Sequence, residues 1–162
     1  MGENSGIILY PIGYIRTSCS DEAVRSSVEG VEGFIEVLES YAEGLEGIGE
    51  FSHIIVVAYL HKIQGRAWSL KVRPKGPLKH GVPLEELPLI GVFSTNSPYR
   101  PNPIAVSVLR VIRVENNKIY VSHLDLYDGT PVLDIKPYTP DKHVDYSELK
   151  VPRWLKKEFF LR

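Results

Sequence analysis

The longest apolar run in the chain, Ile54 to Leu60, is only strand-sized. A membrane-crossing helix needs roughly 20 apolar residues in succession, and nothing in the sequence approaches that. The run lies within Ser52 to His61, where Ile54–Ile55–Val56–Val57 is bounded by polar residues, and it reads as a buried central strand. Other segments repeat the theme. Pro11–Ile12–Gly13–Tyr14–Ile15 reads as an opening strand, and Gly33 to Glu39 ends by alternating apolar and acidic residues, as a strand with one wet face does. Leu89 to Phe93 is a further short strand. Ile104 to Val114 and Lys118 to Leu126 form a hairpin across Glu115–Asn116–Asn117.

Between these strands the sequence lacks the helical crossovers that a parallel sheet requires. Arg16 to Glu32 is polar and patternless, Leu45 to Gly49 suits only a helical turn, and Arg73 to Pro88 is an irregular connector with four prolines and two glycines. Val151 to Leu161, with Pro152 near its start, is expected to be a short terminal helix. The expected fold is mostly β: a single antiparallel or mixed β-barrel with minor short helices. At 162 residues, 43% hydrophobic and 24% charged, the chain has the size and balance of one ordinary globular domain spanning 1–162. Met1–Gly2–Glu3–Asn4 lacks the layout of a secretory signal, so a cytoplasmic location is expected. Cys19 is the single cysteine, which excludes an intrachain disulfide and a cysteine-cluster metal site.

The net charge of −1 does not announce a nucleic-acid binder, but its distribution is uneven. Asp21 to Glu50 holds nine acids and one base, Arg25. His61 to His80 holds six bases (Lys62, Arg66, Lys71, Arg73, Lys75 and Lys79) and no acid. Two readings stand side by side: a face that contacts phosphates, or a solvated loop whose charges pair with the acidic segment.

Two segments carry candidate chemistry. The first runs from Gly91 to Ile104, where three prolines within six residues stiffen a loop that offers Ser94, Thr95, Asn96, Tyr99, Arg100 and Asn102. Such a loop grips a ligand with little ordering cost; it is equally a proline-stabilised surface loop. The second runs from Leu124 to Tyr138, with a turn at Asp128–Gly129 closed by Thr130–Pro131. Asp125, Asp128 and Asp134 flank that turn, but their spacing matches no calcium loop, so no metal is expected. Asp134 and Lys136 share a strand face and are expected to pair. Among five histidines, His53 reads as structural, whereas His61, at a strand end beside Lys62, is better placed to face a site. No serine sits in a nucleophile elbow. Gly44-x-x-Gly47-x-Gly49 has the wrong order and precedes a strand, so Rossmann-type cofactor binding is not supported.

These two segments, together with Pro11 to Arg16 and Gly47 to Ile54, resemble the TsaA-like (YaeB) family. The strongest marks are Gly91–Val92–Phe93–Ser94–Thr95 with Ser97–Pro98 and Arg100–Pro101–Asn102–Pro103–Ile104, and Asp128 to Tyr138. The motif-bearing core covers about 10–138, leaving 139–162 as a C-terminal extension.

The resemblance implies a non-Rossmann, S-adenosylmethionine-dependent methyltransferase that modifies threonylcarbamoyl-adenosine beside the tRNA anticodon and works as a homodimer. Carried over by motif, cofactor contacts fall at Ala23, Val24, Arg25, His61, Lys62, Asn96, Val106, Asp128, Gly129, Thr130 and Pro131, with Asp128 as the catalytic candidate. Tyr99, Arg100 and Asn102 fall on the RNA side, since an aromatic ring stacks a splayed anticodon-loop base, and Arg66, Lys71 and Arg73 fall on phosphates. Two departures touch the expected cofactor site. The family usually has arginine where this chain has Asn96, which keeps hydrogen bonding but lacks the fixed charge and forked donors. The early loop also lacks the family's Pro-Arg-Gln segment. Two other readings remain: a non-catalytic barrel binding an adenosine-containing metabolite or RNA, and a purely structural oligomerisation barrel.

Overall fold

A computed structural model describes residues 6–63 and 65–155. The chain forms strands β1 (Gly13–Arg16), β2 (Val31–Val37), β3 (His53–Tyr59), β4 (Lys71–Val72), β5 (Ile90–Gly91), β6 (Ile104–Glu115), β7 (Lys118–Leu124) and β8 (Pro131–Pro137). One α-helix, α1 (Asp21–Ser26), and several short 3₁₀ turns complete it. Six strands close into a barrel in the order β1-β2-β7-β6-β3-β8, while β4 and β5 pair separately. Every pairing in the barrel is antiparallel, and closure leaves it no open edge.

Period-two alternation makes this barrel. In β3, Ile54, Val56 and Ala58 point inward and are fully buried, while Ile55 and Val57 stand half-buried outside. In β6, Ser107 and Leu109 point inward and Val106 and Val108 outward. Ile15, Ile35, Ile119 and Leu124 fill the remaining interior. Each such side chain contributes about 1.5–3 kcal/mol by leaving water. The β6–β7 turn is made at Asn116, which takes a φ of 53°, a left-handed conformation that asparagine tolerates.

Four expectations need correction. The stretch Ser52 to His61 is not buried on both faces: in β3 alternate residues are only half-buried, and no helix among the described residues covers the outside of the barrel there. Arg16 to Glu32 is not patternless: it contains α1, started by the Ser20 side chain accepting from the Ala23 N–H at 3.2 Å, with Asp21 and Glu22 in the first turn. Leu89 to Phe93 pairs only at Ile90–Gly91, because Val92–Ser94 turns so that Thr95 bonds back to the Val92 carbonyl through N–H (3.1 Å) and hydroxyl (2.8 Å). The hairpin's second strand ends at Leu124, short of Leu126. In the expected terminal helix, 151–155 are not helical but hold one turn, closed by the Leu155 N–H on the Pro152 carbonyl (2.9 Å), and the rest of that segment lies outside the described residues.

The antiparallel order decides where function can sit. Strands β1, β3 and β7 end, and β2, β6 and β8 begin, at the same end of the barrel. The loops 17–30, 60–103 and 125–130 therefore open together there. The remainder of the acidic segment, 38–50, joins β2 to β3 at the opposite end.

Candidate functional site

Helix α1, the turn His61–Ile63 and the β7–β8 loop meet at that common end. Lys62 Nζ lies 2.6 Å from both carboxylate oxygens of Asp21 and 5.1 Å above the ring of Tyr127. The Thr17 N–H donates to Asp128 Oδ1 at 3.1 Å, which fixes the aspartate against the end of β1. The loop itself is clamped by backbone: the Gly129 N–H donates to the Ile15 carbonyl (2.9 Å), and the Ile15 N–H donates to the Thr130 carbonyl (2.9 Å). Gly129 takes a φ of +75°, and a Cβ built there would meet nothing within 4 Å, so open space faces this backbone.

His61 is the electrostatic oddity of the group. Its Nδ1 is buried and has no hydrogen-bond partner among the described residues. Burial lowers its pKa from the ordinary 6.5, the adjacent Lys62 lowers it further, and Asp21 and Asp128 oppose the shift. A neutral imidazole with an unsatisfied buried nitrogen, two carboxylates and one ammonium is thus held in one place. Buried polar atoms are rarely left orphaned, and this one offers a polar contact to a ligand.

A cleft of about 1110 Å³ is walled by the segment Lys71–His80 and the loop Ser94–Tyr99, with Asp125 of the β7–β8 loop also on its lining. Arg73, Asn96 and Tyr99 line it. Arg66 Nη1 donates to the Tyr99 hydroxyl at 3.3 Å. Two of the arginines expected on the RNA side brace backbone in this structure. Arg100 donates to the carbonyls of Ser97 (2.8 Å), Val92 (3.0 Å) and Thr95, and Arg73 donates to the Leu87 carbonyl. Asn102 lies in a second cleft of about 860 Å³ beside Pro103, Ile104, Pro131 and the apolar residues Ile7 and Leu9. Val106 is 68% exposed on the outer face of β6.

Of the eleven cofactor candidates, Lys62 meets α1, which carries Ala23, Val24 and Arg25, through Asp21; Asp128 to Thr130 bond to Thr17 and Ile15 at the end of β1, and His61 feels the charges of Asp21 and Asp128. Val24 is buried within that helix, and Arg25 pairs with Glu22. No hydrogen bond or ion pair among the described residues joins Asn96 or Val106 to this group. Sequence reasoning did not single out Asp21, Thr17, Tyr127 or Ser107. The only available signal was the Ser20–Asp21–Glu22 start of α1. As to the acid-free segment, Lys62 pairs with Asp21 of the acidic one, whereas Lys71 and Lys75 form no ion pair among the described residues. Asp134 and Lys136 pair at 2.7 Å, as their shared face requires.

Comparison with known proteins places this geometry. The family model described as the tRNA-methyltransferase O N-terminal domain matches residues 23–145. A probable S-adenosyl-L-methionine-binding protein of Pyrococcus abyssi is 39% identical over 152 residues, covering 91% of this chain and 75% of that protein. The tRNA (adenine(37)-N6)-methyltransferase of Mus musculus is 42% identical over 97 residues, covering 60% of this chain and 21% of its own length. A crystal structure of TrmO superimposes with a TM-score of 0.66 at 34% identity, covering 90% of this chain. The chain spans 63% of that solved protein's length. The chain belongs to the tRNA-methyltransferase O N-terminal domain family.

Proposed function

We propose that this barrel transfers a methyl group from S-adenosylmethionine to N6 of the threonylcarbamoyl-adenosine next to the tRNA anticodon. The observation that carries the reading is that Lys62 is tied to α1 through Asp21, with His61 in the field of Asp21 and Asp128, while the same β7–β8 loop lends Asp125 to a cleft walled by an acid-free segment. Relatives named as S-adenosyl-L-methionine-binding proteins and as a tRNA (adenine(37)-N6)-methyltransferase support it. A homodimer in the cytoplasm belongs to the same proposal, as does treatment of 1–162 as one domain.

The chemistry of the donor set fits the cofactor. A sulfonium and an ammonium suit the carboxylates Asp128 and Asp21, a carboxylate suits Lys62, and the orphaned His61 Nδ1 suits a polar hydrogen. Gly129 leaves room for close approach. When bound, S-adenosylmethionine supplies an electrophilic methyl group. The chain's own part is positioning, since an in-line displacement gains most from holding its partners in register. Asp128 is oriented by the Thr17 N–H and Lys62 by Asp21, so both charges are fixed before ligand arrives. Tyr99 provides a ring for stacking beside the cleft, and Lys71 and Lys75 provide phosphate contacts.

The test is nucleoside analysis of tRNA lacking this methyl group after incubation with the protein and S-adenosylmethionine. Methylated threonylcarbamoyl-adenosine supports the reading. Cofactor binding without any methylated nucleoside favours a binding-only barrel, for which Asn96 in place of the family's arginine is the specific support.

A further inference from the structure

Two carboxylates three positions apart on the β7–β8 loop have different neighbours. Asp128 faces the His61–Lys62 group and is tied to Thr17. Asp125 lies just beyond β7 between Leu124 and Leu126, both buried, and is itself exposed on the lining of the 1110 Å³ cleft. There it is the one acidic side chain, among the described residues, on a wall that includes Lys71, Arg73, Lys75 and Lys79.

A carboxylate among bases ordinarily pairs with one of them. Asp125 does not: among the described residues no lysine or arginine lies within ion-pair distance of it. Its one partner is Ser107, itself only 6% exposed, whose hydroxyl donates to Asp125 Oδ1 at 2.6 Å. Ser107 is held on the inward face of β6, so the carboxylate is fixed from below, and among the described residues its second oxygen has no hydrogen-bond partner. Such a group is a pre-oriented acceptor, able to take an N–H and to repel another acceptor.

We propose that Asp125, oriented by Ser107, recognises the acceptor nucleoside by accepting a hydrogen bond from its exocyclic N–H. The inference rests on the methyltransferase reading and deepens it: the residue distinguishes a nucleoside that still carries the N–H from one whose nitrogen is already methylated. The substrate is thereby retained and the product released.

The sign of one substitution separates this role from a structural brace. In Asp125→Asn the amide oxygen stays with the Ser107 hydroxyl, which leaves the NH₂ group facing the cleft, a donor where an acceptor stood. The same change removes a negative charge from a basic wall, which strengthens non-specific attraction for RNA. Selectivity is lost while overall affinity holds or rises. A damaged brace lowers affinity for everything.

The experiment measures binding of the full chain, without S-adenosylmethionine, to two synthetic anticodon stem-loops. One carries threonylcarbamoyl-adenosine at the acceptor position and the other its N6-methylated counterpart. Wild-type protein is expected to prefer the first by about tenfold, the size of one hydrogen bond to a charged group. Asp125→Asn is expected to bind the two equally, with neither weaker than wild type binds the methylated one. Ser107→Ala, which keeps the charge, is expected to retain only part of the preference. Equal binding of the two RNAs by wild type overturns the inference and leaves the methyltransferase reading standing. So does an Asp125→Asn variant that keeps the wild-type ratio. Wild-type protein that binds neither stem-loop overturns both.

Discussion

Lys62 Nζ sits 2.6 Å from both carboxylate oxygens of Asp21, 41 residues earlier in the chain. The contact joins the helix of the β1–β2 loop to the turn that follows β3, across one end of the barrel. Both side chains are more than a third exposed, so the pair adds little to stability, on the order of 0–1 kcal/mol. Its value lies in aiming charge. Lys62→Met is predicted to leave thermal melting nearly unchanged and to weaken S-adenosylmethionine binding about tenfold, read by calorimetry. A large loss of melting temperature, or cofactor affinity equal to wild type, contradicts that role.

His61 makes acid pH a stability variable. Its folded-state pKa lies below the ordinary 6.5, chiefly through burial and then through Lys62. The unfolded chain therefore takes up a proton here before the folded one does. Stability rises with pH through the window just below 6.5 and is lost as pH falls through it. Urea unfolding at about pH 7.5 and about pH 5.5 is predicted to give a smaller difference for His61→Gln than for wild type. An unchanged difference removes His61 from the account.

Gly30 is a backbone requirement, not a spacer. It has a φ of +79°, and a Cβ there would stand 2.4 Å from the carbonyl carbon of His123, which itself takes a φ of 61°. That contact lies where the β2–β7 pairing shifts register between Val31 and Gly33, so neither strand is free to move. Gly30→Ala is predicted to cost at least about 2 kcal/mol in denaturant unfolding. Gly44→Ala, in a 3₁₀ turn with nothing within 4 Å of its Cβ, is predicted to stay within about 0.5 kcal/mol of wild type.

These contacts mark where the sequence was legible. Strand β3 and the β6–β7 hairpin were readable because period-two apolar positions and the Asn116–Asn117 turn are local signals. The pairing of Asp134 with Lys136 followed from the same period. Helix α1 was not, because six residues are too few for a 3.6-residue pattern, although Ser20, Asp21 and Glu22 mark its start. The site was legible only in parts. Motifs pointed to His61, Lys62 and Asp128, but the partners that orient them, Asp21, Thr17 and Tyr127, come from distant segments joined by barrel closure. Arg100 shows the converse: an exposed-looking loop arginine folds back onto three carbonyls of its own loop, which pattern alone does not reveal.

The most direct test of the central claim follows labelled methyl from S-adenosylmethionine into tRNA, with wild type and Asp128→Ala side by side. Asp128 is exposed and bonded to one backbone N–H, so its loss is expected to cost about 1 kcal/mol of stability and leave the fold intact. Wild type is predicted to place label in threonylcarbamoyl-adenosine and the folded variant none. Equal labelling by the two proteins, or none by wild type with cofactor still bound, contradicts the account.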